Sequence, residues 1–234
     1  MVELVKEEDL YILKIPHVFT PEIIGTISEK LDEVENQEGP KALILTSSHP
    51  RVFNGGMNLK LLQSKGIDSG FDLFTLVTKL LGRVLALGIP TIAAMHGPAI
   101  AAGLLVACAF DYRIASPSCI VGMSEIEIGM TLPKEACDLL GCKVTEHAKR
   151  DFLIRGKRMD AQEALRRGVL DEVTEDCLKR AKELGKELSW LGKDVPLMKV
   201  FKENMYGDLI RRCRNFVFDE AEKKVVRKNF QPKL

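Results

Sequence analysis

Several absences narrow the function of this chain before any motif is read. Its six cysteines (Cys108, Cys119, Cys137, Cys142, Cys177 and Cys213) form no CxxC pair and no metal-ligand spacing, and its four histidines are scattered. Reduced, packed thiols in an intracellular compartment are therefore expected, with no zinc site. The formal net charge is only +1, so no global field draws in nucleic acid or an anionic membrane. No run approaches the roughly 18 consecutive apolar residues of a membrane span. The opening "MVELVKEEDLYILKI" mixes acids into its apolar residues and lacks the basic-then-hydrophobic order of a signal peptide. There is no GxGxxG after a strand, no GxxxxGK[ST], no GxSxG elbow, no internal repeat and no low-complexity tract.

What remains is an ordinary globular mixture, 46% hydrophobic and 29% charged over 234 residues, long enough for one large domain or a domain with a helical appendage. "LYILKI" (10–15), "KALILTS" (41–47) and "TIAAMHG" (91–97) read as buried strands. Thr20 as N-cap and Pro21 at the first helical position open a helix whose buried stripe is Ile23, Ile27 and Leu31. A second helix is expected from Phe71 to Leu87, with Leu73, Val77, Leu80, Leu81 and Val84 on one face and Gly88 and Pro90 ending it. "PAIAAGLLVACAF" reads as a small-residue helix, followed by short strands in "DYRIAS" and "CIVGMS". This alternation predicts an α/β fold. From about residue 160 the chain turns charged and helical, with one further strand at Val169 to Val173. The division expected is a core over 1–176 and a C-terminal helical region over 177–234.

Two glycine-bearing loops follow buried strands, "FNGGMNLK" (53–60) and "HGPAIAAG" (96–103). Small residues there let a ligand approach the backbone, and the second loop opens a helix whose first amides favour negative charge. Two such loops can offer one N–H each to a single oxygen, although most glycine loops after strands are only turns. Further on, "IVGMSEIEIGMTLP" (120–133) sets Glu125 and Glu127 among apolar residues, where a carboxylate is costly unless paired, solvated or in use.

In order and spacing, "ALILTSSHPRVFNGGMNLKLL", "IPTIAAMHGPAIAAGLLVACAFDYRIAS" and "GMSEIEIGMTLP" resemble the crotonase superfamily, the enoyl-CoA hydratase/isomerase family. The resemblance implies a spiral of ββα units with C-terminal helices that form a homotrimer or hexamer, and an acyl-CoA thioester as substrate. It implies no metal and no redox cofactor, because CoA arrives with the substrate. By position, the backbone amides of Met57 and Ala102 become the pair that polarises the thioester carbonyl, with Met57, Leu59 and Ala102 meeting CoA. Of the two hydratase glutamates, one position is occupied by Leu105 and the other by Glu125. One base without its partner resembles the Δ3,Δ2-enoyl-CoA isomerases, the plant peroxisomal branch in particular. The rival expectations are hydration or another reaction of the family, or a binding module that has lost catalysis.

Glu127 is expected to make a structural pair or face solvent, the usual fate of a lone glutamate, and His96, where the family often has Asn, to make a structural hydrogen bond. Asn58 replaces a common Asp without loss of the neighbouring amide, and Asp111 ends a helix. Leu104, Leu105, Met123 and Met130 are the expected dry wall around Glu125. The acyl pocket is expected from distant loops, including "LQSKGIDSGFDLF" (62–74). The basic clusters "RRCR" (211–214) and "KKVVRK" (223–228) read as solvated helix faces or as holders of CoA phosphates. The ending Pro232-Lys233-Leu234 is one residue from the Ser-Lys-Leu address, so a peroxisomal import receptor is an expected partner and the peroxisome the expected location.

Overall fold

A computed structural model describes residues 1–231; Pro232, Lys233 and Leu234, the expected import address, lie outside the described residues. The chain opens with β1 (Glu3–Glu7), β2 (Leu10–Ile15), α1 (Pro21–Glu35) and β3 (Ala42–Ser47). Thr20 accepts a hydrogen bond from the Ile23 amide at 3.3 Å and so caps α1. The fully buried stripe of α1 is Ile24, Ile27, Leu31 and Val34. Ile23, expected in that stripe, is only partly buried at its edge, because the stripe follows i, i+3, i+7 and i+10 rather than steps of four.

After β3 come α2 (Leu59–Lys65), α3 (Ile67–Leu85), β4 (Thr91–Met95), β5 (Ala99–Ile100) and α4 (Ala102–Ala109). The 62–74 stretch is therefore not a loop: it is the end of α2 and the start of α3, separated at Gly66, whose φ of +84° favours glycine. The helix expected from Phe71 thus begins four residues earlier and ends at Leu85, ahead of Gly88 and Pro90. All five residues of its expected inner face are buried.

The remainder is β6 (Tyr112–Ala115), β7 (Ile120–Gly122), a 3-10 turn (Glu125–Ile128), α5 (Lys134–Lys143), α6 (Glu146–Arg155), β8 (Arg158–Asp160), α7 (Ala161–Arg166), β9 (Glu172–Val173), α8 (Cys177–Leu188), a second 3-10 segment (Ser189–Lys193), α9 (Val195–Arg214) and α10 (Glu220–Asn229). The strand expected over 169–173 is confined to its last two residues.

Six strands form one sheet in the order β1-β2-β3-β4-β6-β9, parallel except for the β1–β2 pair. A smaller sheet, β5-β7-β8, stands beside it. The central strands read as unbroken apolar runs because both faces are covered. Tyr11, Leu13, Ile15, Leu43 and Leu45 point into the main core. Leu10, Ile12, Ile44 and Ile92 point the other way, onto Cys177 and Ala181 of α8. Gly185 lets α8 lie flat there, since a Cβ on it would come within 2.9 Å of Leu10 Cδ2. The first helix beyond residue 176 thus closes the second face of the sheet. Further along, α9 crosses α3 at Gly82, where a Cβ would sit 2.6 Å from Cys213 Cβ.

Candidate active site

The first loop is organised by Asn54, which sequence reading did not single out. Its buried side chain donates to the Pro16 carbonyl at 2.9 Å and accepts from the Gly56 amide at 2.8 Å. The Gly55 amide donates to the His17 carbonyl at 2.7 Å, the Phe19 amide to the Gly56 carbonyl at 2.8 Å and the Asn58 amide to the Phe19 carbonyl at 3.1 Å. These bonds hold the chain on both sides of Met57. The Met57 N–H itself donates to no acceptor among the described residues. Next to it, the Asn58 side chain caps α2 through the amides of Lys60 and Leu61, so the Asp-to-Asn exchange keeps the cap.

The second loop reaches the same place from β5. Ala101 adopts φ +56° and ψ −129°, a conformation that glycine takes readily and alanine only under strain. Its amide donates to the Gly122 carbonyl at 2.8 Å and its carbonyl accepts from Leu105 at 3.1 Å. That geometry turns the Ala102 N–H, in the first turn of α4, away from any acceptor among the described residues. The loops touch: a Cβ on Gly56 would lie 3.2 Å from the Ala102 nitrogen, and one on Gly103 would lie 2.2 Å from the Asn54 carbonyl oxygen. The Asn54 carbonyl also accepts from the Ile100 amide at 2.9 Å.

Glu125 comes from the 3-10 turn. Its carbonyl accepts from the Met130 amide at 2.9 Å, and Gly129 closes the turn at φ +69°. The side chain is only 4% exposed, and Oε2 has no hydrogen-bond partner among the described residues. Burial pushes its carboxyl up to about 7, against a smaller downward pull from the backbone amides of Glu125 and Ser124. The turn is braced from two sides. Glu127 makes a two-pronged ion pair with Arg158 at 3.0 and 2.7 Å, and Gly129 lies so close to the Asn229 carbonyl of α10 that a Cβ would meet it at 2.1 Å. The 3-10 geometry is what separates the two glutamates: a strand would have sent both to one side.

Met57, Leu59, Ala102 and Glu125 line one cleft of about 300 Å³, with Met130 and Arg158. The sequence-derived wall is only partly there. Met130 is in it, whereas Leu104 and Leu105 are fully buried in the core behind α4 and Met123 faces a second chamber. Asp111 does stand just after α4, yet its carboxylate is taken up by the Thr91 amide and hydroxyl at 2.9 and 2.8 Å and by the buried Lys202 at 2.7 Å. His96 Nε2 lies 2.8 Å from the His49 carbonyl oxygen.

The basic clusters are partly paired within the molecule, while Arg214, Lys224 and Lys228 are exposed. Arg212 pairs with Asp138, Asp208 and Glu135, Arg211 with Asp208, Lys223 with Glu220 and Arg227 with Asp68. The one cation in the cleft lining among the described residues, Arg158, was not foreseen; only the placement of β8 beside β7 brings it there. No grouping of three His, Cys, Asp or Glu side chains suited to a metal occurs among the described residues.

Comparison with known proteins agrees with this architecture. The family described as Enoyl-CoA hydratase/isomerase matches residues 16–228. Enoyl-CoA delta isomerase 3 of Arabidopsis thaliana is 29% identical over 224 residues, covering 90% of this chain and 94% of that protein. The peroxisomal enoyl-CoA delta isomerase 2 of the same plant is 30% identical, covering 75% and 78% respectively. Among solved structures, a probable enoyl-CoA hydratase of Mycobacterium tuberculosis superposes with a TM-score of 0.83 at 23% identity, over 97% of this chain and 98% of that one. The free amides of two touching loops, the buried glutamate facing the same cleft and the match across nearly the whole chain lead to one conclusion: this protein belongs to the enoyl-CoA hydratase/isomerase family, the crotonase superfamily.

Proposed function

We propose that this protein is a Δ3,Δ2-enoyl-CoA isomerase in the degradation of unsaturated fatty acids. The observation that carries the proposal is a single unpaired carboxylate: Glu125 is buried with Oε2 unpartnered among the described residues, while Glu127, the other acid in the cleft lining, is committed to Arg158. In this reading the thioester oxygen of a 3-enoyl-CoA accepts hydrogen bonds from the Met57 and Ala102 amides. Ionised Glu125 takes a proton from C2, and the electron pair left behind delocalises to the thioester oxygen and C4. The same carboxyl, now protonated, returns the proton at C4, and the 2-enoyl thioester is complete. A carboxyl with a pKa of about 7 suits both halves, being a stronger base than an ordinary glutamate and still about half ionised at neutrality. Each amide donor contributes about 3–4 kcal/mol to stabilising the dienolate. Leu105, at the position of the second hydratase acid by resemblance, offers no group to position a water.

CoA enters as part of the substrate, Met57, Leu59 and Ala102 meet it at the cleft, and the protein needs no separate cofactor. The assembly belongs to the same proposal: Leu197, Phe201 and Met205 recur every four residues on α9 and stand exposed with Trp190, an apolar face suited to a homotrimer. Light scattering on the purified protein checks that state. A peroxisomal setting is supported by the name of the 30% identical relative, and a fluorescent fusion checks it.

The deciding experiment supplies 3-hexenoyl-CoA and 2-hexenoyl-CoA side by side to the wild type and to Glu125→Gln. Growth of conjugated-enoyl absorbance from the first substrate, lost in the variant, is the expected result. Loss of that absorbance from the second, as water adds, would make the protein a hydratase. No turnover of either with CoA binding intact would make it a binding module.

A further inference from the structure

Three of the four histidines, far apart in the sequence, meet at the C-terminal ends of the central strands. His17 follows β2, His49 follows β3 and His96 follows β4, and these strands are neighbours in the sheet. The rings of His17 and His49 lie 4.6 Å apart between centroids, tilted by 52°. His96 Nε2–H donates to the His49 carbonyl at 2.8 Å. His49 Nδ1 accepts from two backbone amides, Arg51 at 3.2 Å and Val52 at 3.1 Å. A ring nitrogen that accepts carries no proton, so His49 is neutral with its hydrogen on Nε2.

Asn or Asp ordinarily accepts such bonds at the start of a turn, above all ahead of a proline. Here the residue before Pro50 is one that titrates. A charged imidazole has two donors and no acceptor, so protonation removes both bonds and sets a cation against two amide hydrogens. Partial burial, then His17 from the end of β2, Arg51 from the same turn and His96 from the end of β4, hold the ring below the ordinary histidine range. No carboxylate is among the groups that bear on it. The turn is tied to both loops of the cleft. A Cβ on Gly97 would lie 2.3 Å from the Arg51 carbonyl oxygen, so the turn sits directly on the second loop. The Phe53 and Asn54 amides, next in the chain, donate to the Pro98 carbonyl at 3.0 and 3.1 Å. His17, whose ring faces His49, lends its carbonyl to the Gly55 amide at 2.7 Å, just ahead of Met57.

We propose that His49 is a positioning residue for the Met57 amide: neutral, it holds the 49–52 turn and the two loops tied to it; protonated, it releases them, and the thioester oxygen loses its donors. Folding lowers the ring's affinity for a proton, so its support is complete above the ordinary histidine value of about 6.5 and is lost as the pH falls through the lower, folded one. This role rests on the assignment of the Met57 and Ala102 amides to the thioester oxygen, and not on the reaction that follows. Infrared difference spectroscopy on hexanoyl-CoA with a carbon-13 thioester carbonyl reads those amides without turnover. The full chain carrying Glu125→Gln is the background, so that the base does not titrate. At pH 8 the bound carbonyl should absorb at lower frequency than the free ligand. By pH 5 the shifted band should be lost, and it should return when the pH is restored. Adding His49→Asn, whose Oδ1 accepts both amides and does not titrate, should keep the shifted band at both pH values. Adding His49→Leu, which accepts neither, should weaken it at both.

A shifted band that persists at pH 5 with His49 in place, or that is lost there equally in the Asn variant, overturns the proposal. Survival of the full shift in His49→Leu overturns it as well. A bound ligand without any shift at pH 8 refutes the amide pair itself, and the role of His49 with it. If 3-hexenoyl-CoA is not isomerised by the wild type while the shift still follows His49, the reaction assigned above fails and the positioning role stands.

Discussion

Glu125 is both the proposed acid/base and a weak point in the fold. Its carboxyl is raised from 4.5 to about 7 by burial, so the folded protein holds this proton more tightly than the unfolded chain does. The stabilisation linked to that proton is complete below about pH 4.5 and is lost as the pH rises through 7. Above pH 7 the folded state carries an unpaired buried charge, at a cost on the order of 3 kcal/mol. Glu125→Gln should therefore lower isomerase kcat by about 100- to 10,000-fold and yet raise the melting temperature at pH 8, with much less effect at pH 5. Thermal melts of the two proteins at the two pH values check this. Ala101 stores strain of a different kind, at φ +56°. Ala101→Gly relieves it and should stabilise the protein by about 1 kcal/mol in urea unfolding, with the Ala102 amide still facing the cleft.

At the level of elements, the site depends on how closely two loops approach. Gly103 begins the contact with Asn54, and a methyl group there would sit 2.2 Å from a carbonyl oxygen. Gly103→Ala should push α4 away from the first loop, separate the Met57 and Ala102 amides, and lower kcat by at least about tenfold, as a misplaced oxyanion donor does. A kinetic comparison under saturating 3-hexenoyl-CoA reads this directly. The central strands were legible in the sequence because burial on both faces leaves uninterrupted apolar runs such as "LYILKI" and "ALILTS". The helix after Thr20 was legible from its cap and proline.

The parts that were not legible depend on partners distant in the chain. Arg158 enters the cleft only through the pairing of β8 with β7, a three-residue strand without an apolar pattern. Asn54 looks like a turn residue until the Pro16 carbonyl and the Gly56 amide are seen to share its side chain. Resemblance alone favoured Glu125 over Glu127; the 3-10 turn that separates them is announced by no periodicity in "MSEIEIGM".

Across the whole molecule, the fold brings groups from four separated segments to one carboxylate. The strand-following loops supply Met57 and Ala102, the 120s supply Glu125, and α10 at the far end of the chain presses on Gly129 beneath it. That convergence explains why the two amides remain without partners among the described residues: neighbouring backbone bonds hold both loops in place around the free N–H groups. The central claim is that one carboxylate performs both proton transfers. The measurement that tests it most directly is the pH dependence of kcat/KM for 3-hexenoyl-CoA across the neutral range. A single rise with an apparent pKa of about 7 and a plateau above it, absent in Glu125→Gln, is the predicted result. A bell-shaped profile with a second enzyme ionisation, or no ionisation near neutrality, would contradict it.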